Sequence, residues 1–380
     1  MKIIPFSFRF FYNIGVNIAL FDAAPYWSGG AERVYFCARG FAESGHKVVI
    51  VCLPTSRLNE LRRDKITIYN ICPWFDLDPL ALLKIIHILK KEEIDILDIH
   101  SPKFYWLGLI AAKILCRKAG ITRNVAYPKK GIKRLINRWL YHHCDFVVAI
   151  SRRVKETLIR DFALTEEKIH LIYDGGEYSE FSEEQREKIR RLIRQKLNIS
   201  LETFLLTIIG RIERVKGHDL LLKSVAELKN SGYNVGLLII GPVEEKRFFR
   251  KLEKLVKELN LSREVIFTGF ESAVSDYLLA SEALVAPSYL ESMGKSILEA
   301  AANQVPFVTT TNTGVSEVLP RDLGIFVPAG DSEQLTAGLK DLIQNYSRYQ
   351  EKAKKFNPVI LDYKKMVREY LHLYNEVTGK

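Results

Sequence analysis

Short, unbroken apolar runs alternate along this chain with longer segments in which apolar residues recur every three or four positions. The first pattern is that of a strand buried on both faces and the second that of a helix with one buried side. Their alternation predicts parallel sheets flanked by helices. Val16–Phe21 is the first apolar run. Gly29 and Gly30 follow, then a helix over Ala31–Ser44 stopped by Gly45, then the strand K-V-V-I-V-C-L. K-I-T-I-Y-N-I reads as a short strand, Pro79–Lys91 as a helix, Asp95–His100 as a strand with a polar tip, and Lys103–Lys118 as a helix. R-N-V-A-Y (residues 123–127) is expected as the next strand. After it come a helix over Gly131–His143, the strand F-V-V-A-I-S, a helix over Arg152–Phe162 and the strand K-I-H-L-I-Y.

The turn Asp174-Gly175-Gly176 and the charged helix Glu183–Lys196 separate this series from a second one. Its strands are F-L-L-T-I-I-G-R from Phe204, V-G-L-L-I-I-G, V-I-F-T-G-F, A-L-V-A-P, P-F-V-T-T and G-I-F-V. Helices are expected at Leu220–Ser231, Glu244–Asn260, Ser275–Ala280, Gly294–Asn303 and Ser332–Tyr346, with a last amphipathic helix over Leu361–Val377. The fold class is therefore α/β with two Rossmann-like domains, 1–176 and 177–359. The first turn is not G-x-G-x-x-G, and no acid follows the second strand, so a dehydrogenase-type dinucleotide site is not expected.

Composition changes this picture in three places. A length of 380 residues fits two to three domains. No apolar run approaches the ~20 residues needed to span a bilayer. The N-terminal M-K-I-I-P-F-S-F-R-F-F-Y is broken by Pro5 and Arg9 and lacks a small-residue cleavage site, so it does not read as a signal peptide. Five cysteines without C-x-x-C spacing are expected to be reduced, buried thiols, which points to the cytoplasm. The net charge of +11 is unevenly spread: no acid stands between Asp98 and Asp145, where ten lysines and arginines run from Lys103 to Arg138. Such a block attracts an acidic membrane surface, nucleic acid or an acidic substrate, or is a solvated face without a partner. Within it, Ile132, Leu135, Ile136, Trp139 and Leu140 recur at helical spacing with Lys133, Arg134 and Arg138 opposite. That helix either packs on its own sheet or lies against a membrane.

The candidate chemistry centres on Ala286–Ala302, A-P-S-Y-L-E-S-M-G-K-S-I-L-E-A-A-A. A strand ends, a loop carries Glu291, and Gly294 opens a helix on which Glu299 lies eight residues on. Unpaired amides and the helix dipole at such a junction favour anions, while carboxylates accept bonds from hydroxyls. Arg211 and Lys216, at another strand tip, supply cations for a diphosphate. They are also expected to keep both carboxylates ionised, and neither acid has an obvious acidic neighbour in the sequence.

The set S-G-G-A-E-R, G-R-x(4)-K-G, T-G-F and E-S-M-G-x(4)-E-A resembles the retaining, nucleotide-sugar-dependent glycosyltransferases of the GT-B fold, specifically the large family four, over nearly the whole chain from Asn17. The resemblance implies two domains facing each other across a cleft, with residues 360–380 packing back on the first. It implies that Arg211 and Lys216 grip the donor diphosphate and that Gly30 lets backbone approach it from the first domain. It further implies that the amides of Ser292, Met293 and Gly294 hold phosphate or sugar oxygens. Glu291 would accept from sugar hydroxyls and Glu299 from the ribose. Arg211, Lys216 and Glu291 are the catalytic candidates. Many members carry a histidine after the strand that here reads R-N-V-A-Y-P. Tyr127 stands at about that place, and His100 is a candidate polar substitute or a structural histidine.

The implied reaction moves a hexose from a UDP- or GDP-sugar to a glycan or lipid-linked acceptor by front-face displacement with retention. No cofactor and no metal are expected. Asp76-Leu77-Asp78 resembles a metal-binding D-x-D, but Asp78 reads better as a helix N-cap. The expected setting is cell-surface polysaccharide or lipopolysaccharide synthesis, in the cytoplasm or peripheral on the cytoplasmic face of the inner membrane. The alternatives are an epimerase or glycan phosphorylase of the same fold, or a non-catalytic nucleotide- or nucleic-acid-binding protein. Only the basic block supports the last, and no nucleic-acid partner is expected.

Overall fold

The structure, a computed structural model, describes residues 15–25, 27–61, 65–126 and 131–380. The aromatic N-terminal stretch and Tyr127 lie outside them. In chain order the first half runs β1 (Asn17–Asp22), α1 (Gly29–Glu43), β2 (Lys47–Cys52), β3 (Ile66–Asn70), α2 (Pro79–Lys91), β4 (Ile96–Ile99) and α3 (Tyr105–Ile114). It continues with β5 (Lys118–Arg123), α4 (Ile132–His143), β6 (Phe146–Ala149), α5 (Arg152–Phe162) and β7 (Ile169–Leu171). The second half runs α6 (Glu183–Lys196), β8 (Phe204–Ile209), α7 (His218–Asn230), β9 (Val235–Ile240), α8 (Lys246–Glu258), β10 (Val265–Gly269) and α9 (Val274–Leu279). Then come β11 (Ala283–Ala286), α10 (Lys295–Ala302), β12 (Phe307–Thr310), β13 (Ile325–Val327), α11 (Ser332–Gln344), α12 (Tyr346–Lys355) and α13 (Tyr363–Thr378).

The strands form two parallel sheets, in the orders β3-β2-β1-β4-β5-β6-β7 and β10-β9-β8-β11-β12-β13. Central strands such as β1 and β2 are buried on both faces, which is why they read as continuous apolar runs. Each order reverses once, between β1 and β4 and between β8 and β11. Crevices open at such reversals, outside the C-terminal strand ends.

Two elements differ from the sequence expectation. Residues 118–123 are a strand and not the end of a helix, so the strand expected at R-N-V-A-Y lies five residues earlier in the chain. Gly120 sits under the Phe146 ring, where a Cβ would come within 2.2 Å of it, so β5 needs a residue of low strand propensity. The hydrophilic helix α12 is additional.

The last helix belongs physically to the first domain. Gly176 N–H donates to Leu361 O (2.8 Å) and Tyr363 N–H to Gly176 O (3.0 Å), so the two segments crossing between the halves are bonded to each other. Beyond them α13 packs on α1, with Tyr370 and Tyr374 against Phe41. The Tyr374 hydroxyl donates to the fully buried Asp98 (2.8 Å), which also accepts from Thr122 (2.8 Å).

Helix α4 is held by Leu140 and Tyr141 alone among its fully buried residues, and its apolar stripe is left uncovered. The basic block is not all surface: Arg123 turns inward and donates to Tyr141 Oη (2.8 Å). Asp78 caps α2, accepting from the amides of Leu80 and Ala81. The cysteines are unpaired, but only Cys37, Cys52 and Cys144 are buried, while Cys72 and Cys116 are exposed. Among the described residues no helix is long and apolar enough to cross a membrane.

Candidate functional site

A cleft of about 980 Å³ lies between the two sheets at their C-terminal edges, where the strand orders reverse. Gly30 and His100 line it from the first domain; Arg211, Lys216, Glu291, Ser292, Met293, Gly294 and Glu299 line it from the second. Tyr127 lies outside the described residues. Because β5 ends at Arg123, the residue emerging at that strand tip is Asn124. It lines the cleft beside Gly30, where a Cβ would stand 3.1 Å from the Asn124 amide nitrogen.

Local chain chemistry places each wall. On the first domain, Ser28 caps α1 by accepting from Ala31 N–H (3.2 Å), which fixes Gly29 and Gly30 as the first helical residues, facing the opening. On the second, β8 ends in Gly210-Arg211 and one helical turn brings Lys216 back over the strand tip. Gly217 makes that return possible. Its φ is +71°, and a Cβ there would stand 2.2 Å from Pro287 O, so the Lys216 loop presses directly on the loop after β11. Tyr289 N–H donates to Val215 O (2.8 Å), tying the two loops together.

The pairing of charges inside the cleft is specific. Lys216 Nζ lies 2.6 Å from Glu291 Oε2, which also accepts from Ser288 Oγ (3.3 Å). The Arg211 guanidinium reaches Glu213 (2.9 Å) and the edge of Glu244 (4.0 Å). Ser292 Oγ accepts from Ala126 N–H (2.9 Å), a bond that crosses between the domains. Gly294, at φ +90°, opens α10.

Glu299 departs from expectation. The fold brings Glu32, in the first turn of α1, opposite it, and Lys295 Nζ bridges the domains to Glu32 Oε1 at 2.9 Å. Burial first and the Glu32 carboxylate second push the Glu299 carboxyl up to about 8, against the pull of Lys295. It is therefore not held ionised by a cation, and it does have an acidic neighbour. The sequence does not reveal this because Glu32 looks like a first-turn acid favoured by the helix dipole, and its partner is on the other domain.

A pH dependence follows. A carboxyl raised in the folded state keeps a proton that the unfolded chain releases near 4.5. Its contribution to stability is therefore present at low pH and lost as pH rises from about 4.5 to about 8. Urea unfolding across that window should show stability falling with pH, by at most about 1.4 kcal/mol per unit. Glu299→Gln should flatten that part of the profile. If the variant keeps the wild-type slope, Glu299 is not its source.

Buried polar atoms without a hydrogen-bond partner among the described residues stand on the cleft wall, His100 Nδ1, Asn124 Oδ1 and Tyr178 Oη among them. The other His100 nitrogen is 3.5 Å from Asp98. Unpartnered buried polar groups are costly, and here they converge on space that a polar molecule would fill. Asn124, Tyr178, Glu32 and Lys295 went unremarked in the sequence. Asn124 follows the misplaced strand, Glu32 sits inside the S-G-G-A-E-R motif where it reads as a first-turn acid, and Tyr178 and Lys295 carry no motif of their own.

With this geometry in place, the chain can be set beside known proteins. Residues 189–358 match the sequence model of glycosyl transferases group 1, and residues 27–176 match that of glycosyltransferase family 4. A 242-residue stretch is 25% identical to a Campylobacter jejuni N-acetylgalactosamine-N,N'-diacetylbacillosaminyl-diphospho-undecaprenol 4-alpha-N-acetylgalactosaminyltransferase, covering 61% of this chain and 62% of that protein. Over 282 residues the chain is 27% identical to the capsular polysaccharide biosynthesis glycosyltransferase CapM of Staphylococcus aureus, covering 71% and 73%. Among solved structures, Anabaena HepE in complex with UDP-glucose superposes with a TM-score of 0.82 at 17% identity, over 95% of this chain and 99% of that one.

Proposed function

From the premise that this chain is a group 1 glycosyltransferase of the GT-B fold, we propose that it moves a hexose from a nucleotide-diphosphate sugar to a glycan or lipid-linked acceptor, with retention at the anomeric carbon. The observation that carries this reading is the Lys216–Glu291 pair beside the Ser292–Gly294 loop, facing Gly30 and His100 across one cleft. Cations and amides suit a diphosphate, and carboxylates suit hydroxyls. The relatives named for capsular polysaccharide and undecaprenol-linked synthesis support an acceptor of that class, and UDP-glucose in HepE supports a nucleotide-sugar donor.

In this reading Lys216 and Arg211 turn from Glu291 and Glu213 toward the diphosphate as it enters. The bond from the anomeric carbon to the phosphate oxygen breaks, the acceptor oxygen bonds to the same face of that carbon, and the acceptor's proton passes to the departing phosphate. Glu291 positions the sugar through its hydroxyls. Glu299, carrying its proton near neutral pH, both donates to and accepts from the ribose. Arg211 and Lys216 take up the leaving-group charge, so the reading calls for no metal. His100 and Asn124 contribute the polar wall on the acceptor side.

A thermal-shift series with UDP, GDP, ADP and their sugars tests the donor site. A nucleotide at a hundred times its dissociation constant should add about 2.7 kcal/mol of stability. If no nucleotide or nucleotide sugar raises the melting temperature, the proposed site is wrong. A product of inverted configuration, read by NMR, would remove the front-face mechanism and leave the transferase.

A further inference from the structure

We infer that α4 is a membrane-docking helix that lies in the plane of an anionic bilayer and holds the rim of the cleft against it. Four large apolar side chains of α4 are exposed: Ile132 (68%), Leu135 (56%), Ile136 (38%) and Trp139 (48%). At 3.6 residues per turn they share one side of the helix, opposite Tyr141, which together with Leu140 at the edge of the stripe anchors the helix to the protein. Lys133 flanks that stripe on one side and Arg138 on the other. An interfacial helix has this arrangement, with apolar residues in the acyl boundary and cations reaching out to lipid phosphates.

The aromatic anchor is preorganised. Trp139 is stacked against Trp106 of α3 (5.2 Å between centroids) and against His143 (4.0 Å). A tryptophan held this way loses little freedom on entering the interface. Charge selects the occupant. The 46 residues between Asp98 and Asp145 contain no acid, so α3 and α4 themselves carry cations and no acids, as an anionic surface favours. A second exposed apolar group, Trp74 (91% exposed), Leu80 (70%) and Leu83 (63%), lies before and along the start of α2, which packs against α3 as α4 does.

Placement gives the docking a use. Helices α2 and α4 both begin just after the C-terminal ends of strands, on the sheet edge that borders the cleft. A bilayer touching both helix starts lies beside the cleft, where a lipid-linked acceptor could be reached without leaving the membrane.

Vesicle co-sedimentation without any nucleotide tests this independently of the transfer reaction, so its failure would leave the proposed activity standing. The full chain should pellet with phosphatidylglycerol-containing vesicles at low salt, at least about tenfold better than with pure phosphatidylcholine. Leu135→Glu combined with Trp139→Glu should lower that binding by about tenfold or more, with unchanged far-UV circular dichroism and a melting temperature lowered only by the lost Trp106 stack, because Leu135 is largely exposed and Trp139 half so. Lys133→Gln with Arg138→Gln should weaken anionic binding and leave any residual phosphatidylcholine binding unchanged. The inference fails if the wild-type chain stays in the supernatant, or if the Leu135/Trp139 variant binds vesicles as well as wild type. It also fails if that variant instead abolishes a concentration-dependent dimer, which would make the stripe a contact between copies.

Discussion

Replacing Lys216 with alanine lowers the kcat of sugar transfer by about 10²–10³-fold, with a smaller change in KM. The ammonium is held where a strand tip, a positive-φ glycine and the Pro287 carbonyl leave the loop little freedom. It pairs with Glu291 at 2.6 Å. When a diphosphate leaves the sugar, negative charge grows on its bridging oxygen, and a fixed cation there stabilises the transition state more than the ground state. That difference places the loss in kcat. Lys216 pairs with Glu291 at a partly exposed position, so the variant should keep its circular dichroism and melting temperature. Lys216→Arg keeps the charge and should recover part of the rate. An alanine variant with wild-type kcat would remove Lys216 from the reaction.

The largest stability loss is expected at Arg33, the last residue of the S-G-G-A-E-R motif. Arg33→Leu should cost about 3–5 kcal/mol in urea unfolding. The guanidinium is fully buried and donates to Tyr370 Oη (2.9 Å), to Ile172 O (2.7 Å) and to Asp174. Leucine leaves the Asp174 carboxylate without its cation and strands the Ile172 carbonyl, while the Tyr370 hydroxyl keeps Thr122 Oγ1 at 3.1 Å. Much of the cost should therefore be the stranded acid. The double variant Arg33→Leu/Asp174→Asn should be more stable than the sum of the two single changes predicts, which a double-mutant cycle measures. A single-variant loss under about 1 kcal/mol would mean that the ion pair does little for stability.

Arg33 also shows where sequence legibility ends. Its motif is visible, but a motif does not say which member faces the cleft and which faces inward. Gly30 lines the cleft, Glu32 meets Lys295 across it, and Arg33 points into the core toward a helix more than three hundred residues later. Most strands and helices were legible because burial on two faces or one leaves a plain period in the residues. β5 was not, because its packing demands glycine under Phe146 and so erases the apolar signature. The candidate residues at strand tips were legible from local motifs. The partnership of Glu32, Lys295 and Glu299 was not, since it arises only when two separately encoded domains meet. The stripe on α4 reads the same whether it packs or stays bare, and only the surrounding elements decide.

The return of α13 to the first domain has a consequence for how the protein is made. Tyr370 and Tyr374 fill the core against α1 and supply bonds to Arg33 and Asp98, so the first domain lacks part of its interior until the final helix has been synthesised. At 5–20 residues per second, translating the chain from Gly176 to Tyr363 takes on the order of 10–40 s. During that interval the buried Arg33–Asp174 pair and the Asp98 carboxylate are without their tyrosine partners, while the second domain already has all of its strands by Val327. Although it emerges first from the ribosome, the N-terminal domain is the last to be finished.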